Sequence, residues 1–133
     1  MVFAGINYVA VVIAALAAFG TGLVWYMTLS RFWLVAVGKT KEELPQSGRP
    51  FVISIVALLV MAWMLAGLVG HLGAVTVWNG VVSGFFVWLG FVLTTMAVNH
   101  AFSGARVLLT LIDGGYWLAV LLVQGAIIGA FGA

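Results

Sequence analysis

Residues 107–120 read VLLTLIDGGYWLAV, and this stretch decides the fold. It begins an apolar run that continues to about residue 130, and a helix needs about 20 such residues to cross a bilayer. Backbone groups in lipid must satisfy their own hydrogen bonds, so the run is predicted to be a helix. The exception within it is Asp113, one of only three acidic residues in the chain.

The composition of the whole chain indicates that lipid is its solvent. Of 133 residues, 65% are hydrophobic and 6% are charged, whereas a soluble domain carries about 25% charged residues. The chain cannot cover a water-facing surface, so the lipid bilayer is its predicted partner, and a single transmembrane domain is expected. Five Lys and Arg residues are too few to predict a nucleic-acid partner. The chain has no Cys, which excludes disulfides, thiolate ligands and a Cys nucleophile within it.

Four segments are long and apolar enough to cross the membrane, at about 6–28, 51–71, 77–98 and 107–130. None shows the ~10-residue alternation of a membrane β-strand. The sequence therefore predicts an all-α fold, an integral membrane four-helix bundle with antiparallel neighbours. The first segment resembles the apolar part of a signal peptide. However, no Lys or Arg precedes it and the run continues to Leu29, so a retained span is favoured.

The basic residues predict how the spans are oriented. Four of the five lie in the first connection, residues 29–50, and the fifth, Arg106, lies in the third connection. The second connection has none. Because short basic loops stay in the cytoplasm, both termini are predicted to lie outside, the N-out/C-out arrangement, with the long basic loop in the cytoplasm.

The first connection contains two features of its own. The sequence TKEE at 40–43 matches a capping box, with Thr40 as N-cap and Glu43 reaching back to it, and Pro45 ends any short helix. Before it, RFWLVAV at 31–37 is apolar with a basic start. This segment either lies along the inner membrane surface or extends the first helix, and the sequence leaves both open.

Small and hydroxyl residues gather on one side of several spans when these are read at about 100° per residue. Such residues mark helix contacts in membranes because they let backbones approach closely. The predicted inward face of the third span contains Gly80, Ser83, Gly84, Val87, Phe91, Thr94, Thr95 and Val98, with Val92, Leu93 and Met96 among the residues facing lipid. The predicted helix-packing residues of the chain are Ala10, Ala14, Ala18, Gly22, Gly80, Gly84, Gly125 and Gly129.

The fourth span has two distinct faces. Arg106, Asp113, Trp117 and Gln124 follow one line, which is predicted to lie inside the bundle. The pair Gly125 and Gly129 lies about 120–160° away from Asp113, where it can pack on a neighbouring helix or on another subunit. The lipid side of the second span is not assigned.

Asp113 is the centre of a candidate intramembrane polar cluster. A charged side chain at mid-bilayer costs at least ~2.5 kcal/mol, so the carboxyl is expected to face the bundle interior and to find partners there. The members of the cluster are Asp113, Tyr26, Thr94, Thr95, Asn99, Arg106 and Tyr116. Three roles stay open: structural, as a neutral acid bonded to a Thr or as a static pair with Arg106; proton or cation handling; and ligand recognition. Gly114 and Gly115 beside it allow a neighbour to approach closely.

Three tryptophans lie near the middle of their spans, and the histidines lie at span ends. Trp63, Trp88 and Trp117 could form a slot for a flat apolar ligand such as a quinone or a carotenoid, with lipid as a further candidate ligand; alternatively they pack on other helices or on lipid. His71 and His100 fall about 30 Å apart across the bilayer, so they cannot ligate one iron. No metal is expected, and no pattern of an enzyme is found.

Longer stretches carry a family resemblance. They are NYVAVVIAALAAFGTGLVWY at 7–26, GKTKEEL at 38–44, GFVLTTMAVNHAFSG at 90–104 and LIDGGYWLAVLLVQGAIIGAF at 111–131. In this order they resemble a bacterial family of small four-span membrane proteins, domain of unknown function seventeen sixty-one. The resemblance implies a multi-pass protein of the bacterial cytoplasmic (inner) membrane. It implies no activity, and it gives the acid at Asp113 no role, since an amide is usual there in the family.

Three functions compete at this point. The first is a helix-packing membrane protein that forms an oligomer with itself or is an accessory subunit of a larger membrane complex, favoured by the 17 Gly residues and the near absence of soluble mass. The second is a small transporter or channel in which Asp113 lines a cavity; four helices make a poor conduit, so it also requires an oligomer. The third is a binder of an apolar cofactor at the three tryptophans.

Overall fold

The computed structural model describes residues 3–132 and is all-helical over that range. Its four long helices are the first, Tyr8–Val37, the second, Arg49–Leu72, the third, Val77–Ser103, and the fourth, Val107–Phe131. Each is long and apolar enough to cross a membrane, with mean hydropathy between 1.7 and 2.7. The prediction of an all-α fold with four potential membrane spans is confirmed.

The first helix is longer than the hydropathy pattern predicts. It begins after Asn7, whose Oδ1 accepts a hydrogen bond from the Ala10 amide at 3.1 Å. It continues nine residues beyond the predicted end at 28, to Val37, so residues 31–37 extend the helix and form no separate surface helix. It ends at Gly38, whose positive φ of 76° suits a residue without a side chain.

The connection to the second helix is correspondingly short. A single 3₁₀ turn, Lys41–Glu43, follows Thr40. Glu43 Oε1 accepts from the Thr40 amide at 3.4 Å, which is the bond that the capping box predicts for the Glu side chain, and it also accepts from the Thr40 hydroxyl at 3.1 Å. The second helix then begins at Arg49, followed by Pro50 at a position where a missing N–H costs nothing.

The third helix changes its winding halfway along. It is α-helical over Val77–Val87, π-helical over Trp88–Leu93 and α-helical again over Thr94–Ser103. It extends past the predicted end at 98 and stops at Gly104, which has a φ of 73°. A π segment holds one more residue per hydrogen-bonded turn, so every later side chain is rotated by about 100° relative to an uninterrupted α-helix.

This change of winding divides the predicted inward face of the third helix. Gly80, Ser83 and Gly84, which precede the π segment, are buried as the periodicity predicts. Four residues predicted on the same face are instead exposed, and these are Phe91, Thr94, Thr95 and Val98. Val92, Leu93 and Met96, predicted to face lipid, are partly buried. The assumption of one continuous 100° spacing was wrong beyond Val87.

The fourth helix is the centre of the bundle. It packs most extensively on the first and third helices, and the first helix packs in turn on the second. Its contacts with the third helix pair Gly129 with Thr76, Gly125 with Gly80, and Leu121 with Gly84. Residue numbers therefore fall along the fourth helix as they rise along the third.

The apolar core lies where the first, second and fourth helices meet. Ala14, Ala18 and Ala62 are fully buried there, and Leu58 and Val120 fill the space between the helices. The second helix, whose lipid side the sequence left unassigned, buries the side that contains Leu58, Ala62, Leu65, Ala66 and Val69. The remainder of its surface exposes large apolar side chains, as a lipid-facing surface does.

Candidate functional site

Asp113 lies where the first, third and fourth helices come together. Its carboxyl is partly buried, and Oδ1 accepts a hydrogen bond from the Tyr26 hydroxyl at 2.7 Å. Tyr26 belongs to the first helix, so this bond crosses between two membrane spans. A side-chain bond of this kind is worth roughly 0.6 to 1.7 kcal/mol in a membrane protein.

Two indole groups bind the backbone on either side of Asp113. Trp25 Nε1, from the first helix, donates to the Ile112 carbonyl at 3.1 Å. Trp88 Nε1, from the third helix, donates to the Gly114 carbonyl at 2.8 Å. The fourth helix is therefore held by hydrogen bonds from both neighbours within three consecutive residues.

The two glycines after Asp113 make these contacts possible. A Cβ added to Gly115 would lie 2.8 Å from Cζ2 of the Trp25 ring, which is closer than side chains approach one another. A Cβ on Gly114 would lie 3.3 Å from Cδ1 of Leu93. Gly115 thus gives Trp25 the space from which its indole reaches the backbone of the fourth helix.

Aromatic rings enclose the Tyr26 side of the site. The Tyr26 ring meets that of Tyr116 edge-on at 5.1 Å between centroids and that of Trp33 at 6.0 Å. Tyr116 is buried, and its hydroxyl lies against Gly22, where an added Cβ would come within 3.0 Å. The three rings therefore pack together around the hydroxyl that binds Asp113.

The remaining candidates of the polar cluster lie elsewhere. Thr94 donates to the Gly90 carbonyl at 2.9 Å and Thr95 to the Phe91 carbonyl, so both hydroxyls bind their own helix and are exposed on the bundle surface. Asn99 is exposed as well. The structure does not bring these three to Asp113, because the π segment rotates them away from the fourth helix.

Arg106 is directed to the first helix and not to Asp113. Its Nη1 donates to the Val35 carbonyl at 2.9 Å. This bond places the third connection beside the end of the first helix and therefore beside the basic first connection. The static Asp–Arg pair that the sequence left open is not the arrangement found here.

A second polar contact lies one turn before Asp113. Nδ1 of His100, in the last turn of the third helix, is 2.7 Å from Oγ1 of Thr110. Sequence reasoning missed this pair, as it missed the roles of Trp25 and Trp88. Only the short connection between the third and fourth helices indicated that residues 100 and 110 would face one another, and this is a weak indication of the pair.

Two of the predicted packing glycines meet each other, and two more lie against backbone carbonyls of the facing helix. A Cβ on Gly80 would clash with the carbonyl oxygen of Gly125, and a Cβ on Gly125 would clash with the carbonyl oxygen of Gly80. Gly84 lies against the Leu121 carbonyl and Gly129 against that of Thr76. The third and fourth helices therefore touch backbone to backbone along this seam.

Gln124 is a polar side chain fully buried between the second and fourth helices. Its Nε2 donates to the Leu58 carbonyl at 3.0 Å. Its Oε1 has no hydrogen-bond partner among residues 3–132. The amide therefore ties the two helices together while one acceptor stays unsatisfied.

The three mid-span tryptophans do not line one slot. Trp63 packs on Phe3 with 5.2 Å between ring centroids, and Trp117 packs on Tyr116 at 4.7 Å. Trp88 is held by its bond to the fourth helix. A cavity of about 370 Å³ between the second and third helices is lined by none of them.

Comparison with known proteins identifies the family of this chain and nothing further. Residues 9–129 match the family described as "Protein of unknown function (DUF1761)". No curated protein and no solved structure matches the chain. Since the match covers most of the sequence and all four helices, the chain belongs to this family of unknown function.

Proposed function

We propose that this chain is a non-enzymatic, helix-packing membrane protein that associates with a second copy of itself through the third helix. The observation that carries the proposal is the uneven burial of the four spans. Only 11% of the most apolar window of the third helix is buried, compared with 28% to 33% for the other three. The third helix is attached along its glycine seam and leaves most of its remaining surface free.

The free surface of the third helix, from within its π segment onward, contains a row of small residues. Gly90, Thr94, Ala97 and Ala101 are all exposed and recur every three or four residues, so they share one face. Small residues on a membrane helix favour contact with another helix, because they let the two backbones approach closely. The Thr94 hydroxyl already binds its own helix, so close packing would leave no polar group unsatisfied.

Self-association fits this face geometrically. Two copies inserted in the same orientation are related by a two-fold axis along the membrane normal, and such an axis brings identical residues together at equal depth. Ala97 of one copy then meets Ala97 of the other. The alternative, an accessory subunit bound to a different protein, would use the same face but would not pair Ala97 with itself.

Disulfide trapping tests this pairing directly, because the chain has no Cys of its own. We expect Ala97→Cys to form a covalent dimer on mild oxidation in native membranes. Val24→Cys is the matched control, since Val24 is 69% exposed on the first helix, away from the proposed contact. Equal cross-linking at both positions, or none at Ala97, would contradict the proposal.

A bulky substitution gives an independent test. We expect Ala97→Trp to convert dimers into monomers in native mass spectrometry from lipid nanodiscs, while Val24→Trp leaves the dimer intact. If the Ala97 variant stays dimeric, the third helix is not the interface. If the unaltered chain is recovered with a different protein in fixed ratio and never with itself, the accessory-subunit alternative replaces this one.

We further propose an antiparallel bundle in the bacterial cytoplasmic membrane with the N-out/C-out orientation. All five basic residues lie in the first and third connections or in the helix ends that flank them, and the bond from Arg106 to Val35 supports placing these connections at one end. A membrane-impermeant thiol reagent applied to intact cells should label Ala74→Cys and spare Lys39→Cys. The reverse pattern would invert the orientation.

A further inference from the structure

The polar contacts around Asp113 continue toward one end of the bundle. His100 meets Thr110 at 2.7 Å, and Asp113 meets Tyr26 at 2.7 Å. Thr110 and Asp113 are three residues apart on the fourth helix, and side chains at this spacing are neighbours about 5–6 Å apart between Cβ atoms. Four polar groups from three helices therefore follow one another inward from the membrane surface.

The Thr110 hydroxyl is turned away from its own helix. Thr21, Thr94 and Thr95 all donate to the carbonyl four residues earlier, which is the ordinary arrangement for Thr in a membrane helix. Thr110 instead meets the imidazole of His100. A hydroxyl that meets an imidazole and lies one helical turn from a carboxyl can accept a proton from the first while releasing its own toward the second.

The two ends of this row differ in their depth along the bundle. His100 belongs to the last turn of the third helix, three residues before Ser103, and is partly buried, as Asp113 is. Asp113 lies seven residues beyond Arg106, about 10 Å further along the helix axis. The imidazole meets Thr110, three residues before Asp113, and so lies about 4.5 Å nearer to the Arg106 end than the carboxyl does.

We propose that Asp113 is a reversible proton-binding site, loaded from the Arg106 end of the bundle through His100 and Thr110. A proton on the His100 imidazolium leaves Nδ1 for Thr110 Oγ1. The Thr110 hydroxyl proton leaves in the same step and reaches the Asp113 carboxylate through one bridging water. The imidazole and the carboxyl end neutral, the hydroxyl is restored, and no other group changes its charge.

Tyr26 makes both charge states of the carboxyl compatible with the fold. Its hydroxyl donates to the ionised carboxylate, and it can also donate, in a weaker bond, to the carbonyl oxygen of the neutral acid. Loading therefore keeps the bond between the first and fourth helices. Proton loading of Asp113 does not require self-association. A transport role would require both this proton-binding site and an oligomer.

Few other ionisable groups face Asp113. The ionisable group from the first helix is Tyr26, and the one from the third helix is His100, which acts through Thr110. The fourth helix carries Tyr116 and Arg106, and the Arg106 side chain is bound to the Val35 carbonyl. The only ionisable residues of the second helix, Arg49 and His71, lie at its two ends. The charge of the carboxyl is thus governed by this short row.

Asp113 is the only aspartate in the chain, which makes a direct test possible. Protein labelled with ¹³C at the aspartate side-chain carboxyl is reconstituted in lipid bilayers and followed by infrared spectroscopy between about pH 9 and pH 4. We expect the labelled carboxylate band to be replaced by a labelled carboxylic-acid band over this range. A labelled carboxyl that keeps one form throughout overturns the proposal.

The route is tested by the rate of protonation after a rapid drop in pH. His100→Ala and Thr110→Val should each slow the appearance of the labelled acid band by about tenfold or more, while Thr110→Ser, which keeps the hydroxyl, retains the original rate. Circular dichroism of the helices checks that each variant is folded. If His100→Ala is not folded, the comparison of Thr110→Val with Thr110→Ser is sufficient to test the route. Equal rates in Thr110→Val and Thr110→Ser overturn the route.

Discussion

In its second half the fourth helix touches the third backbone to backbone at Gly125 and Gly80, whereas in its first half it is joined to its neighbours by side-chain hydrogen bonds around Asp113. The first kind of contact depends on the absence of side chains, and the second depends on polar groups that reach across. The difference shows two ways in which membrane helices associate when lipid removes the hydrophobic drive between them. Substitutions should therefore act differently in the two halves.

The largest effect is expected at the glycine seam. Gly125→Ala places a Cβ against the Gly80 carbonyl, where the backbones cannot move apart without losing the seam. We expect a loss of about 2–3 kcal/mol in the free energy of unfolding in lipid, the upper range for overpacking.

The control for this substitution is another helical glycine. A Cβ added to Gly20 has nothing within 4 Å, so Gly20→Ala should be neutral or stabilising by up to about 1 kcal/mol, as helix propensity predicts. Similar effects at the two positions, measured by reversible unfolding in bicelles, would contradict the close backbone contact between Gly125 and Gly80.

A smaller effect is expected from the indole bonds. Trp88→Phe keeps an aromatic ring and removes the N–H that donates to the Gly114 carbonyl. We expect destabilisation by about 1 kcal/mol, within the range for hydrogen bonds between membrane helices. Trp78→Phe serves as the control, since Trp78 is 75% exposed. If both substitutions cost the same, the bond to Gly114 contributes nothing measurable.

The smallest effect is expected for the threonines of the third helix. Thr95→Val removes a hydroxyl that binds only its own helix and lies exposed on the bundle surface. The free energy of unfolding of the single chain should change by less than about 0.5 kcal/mol, as for most surface substitutions. A decrease in the free energy of unfolding as large as that of Trp88→Phe would indicate that Thr95 does belong to the polar cluster around Asp113.

Hydropathy predicted the four spans because about 20 apolar residues in a row have few alternatives to crossing a bilayer. It did not predict where the first helix ends. Residues 31–37 are apolar enough for either a helix extension or a surface segment, and Gly38 marks the stop only once the helix is known to reach it.

The candidate site was predicted in part. Tyr26 and Tyr116 were among the residues expected near Asp113; Tyr26 binds its carboxyl, and the Tyr116 ring packs on that of Tyr26. Thr94, Thr95 and Asn99 were expected there as well, and they are turned away because WLGFVL at 88–93 winds as a π segment. Nothing in the composition of that segment distinguishes it from ordinary α-helix. The winding begins at Trp88, which bonds to the fourth helix, and such a tertiary contact cannot be read from the sequence of the segment.

The most direct measurement is a double-mutant cycle between Tyr26 and Asp113, using Tyr26→Phe, Asp113→Ala and the pair together. The account holds that the acid faces the bundle and is bound by Tyr26, so the coupling free energy should be about 1 kcal/mol. The parallel cycle of Tyr26→Phe with Thr95→Val should give no coupling, because these two residues share no contact. Additive losses for Tyr26 and Asp113 would contradict the account and place the carboxyl away from the first helix.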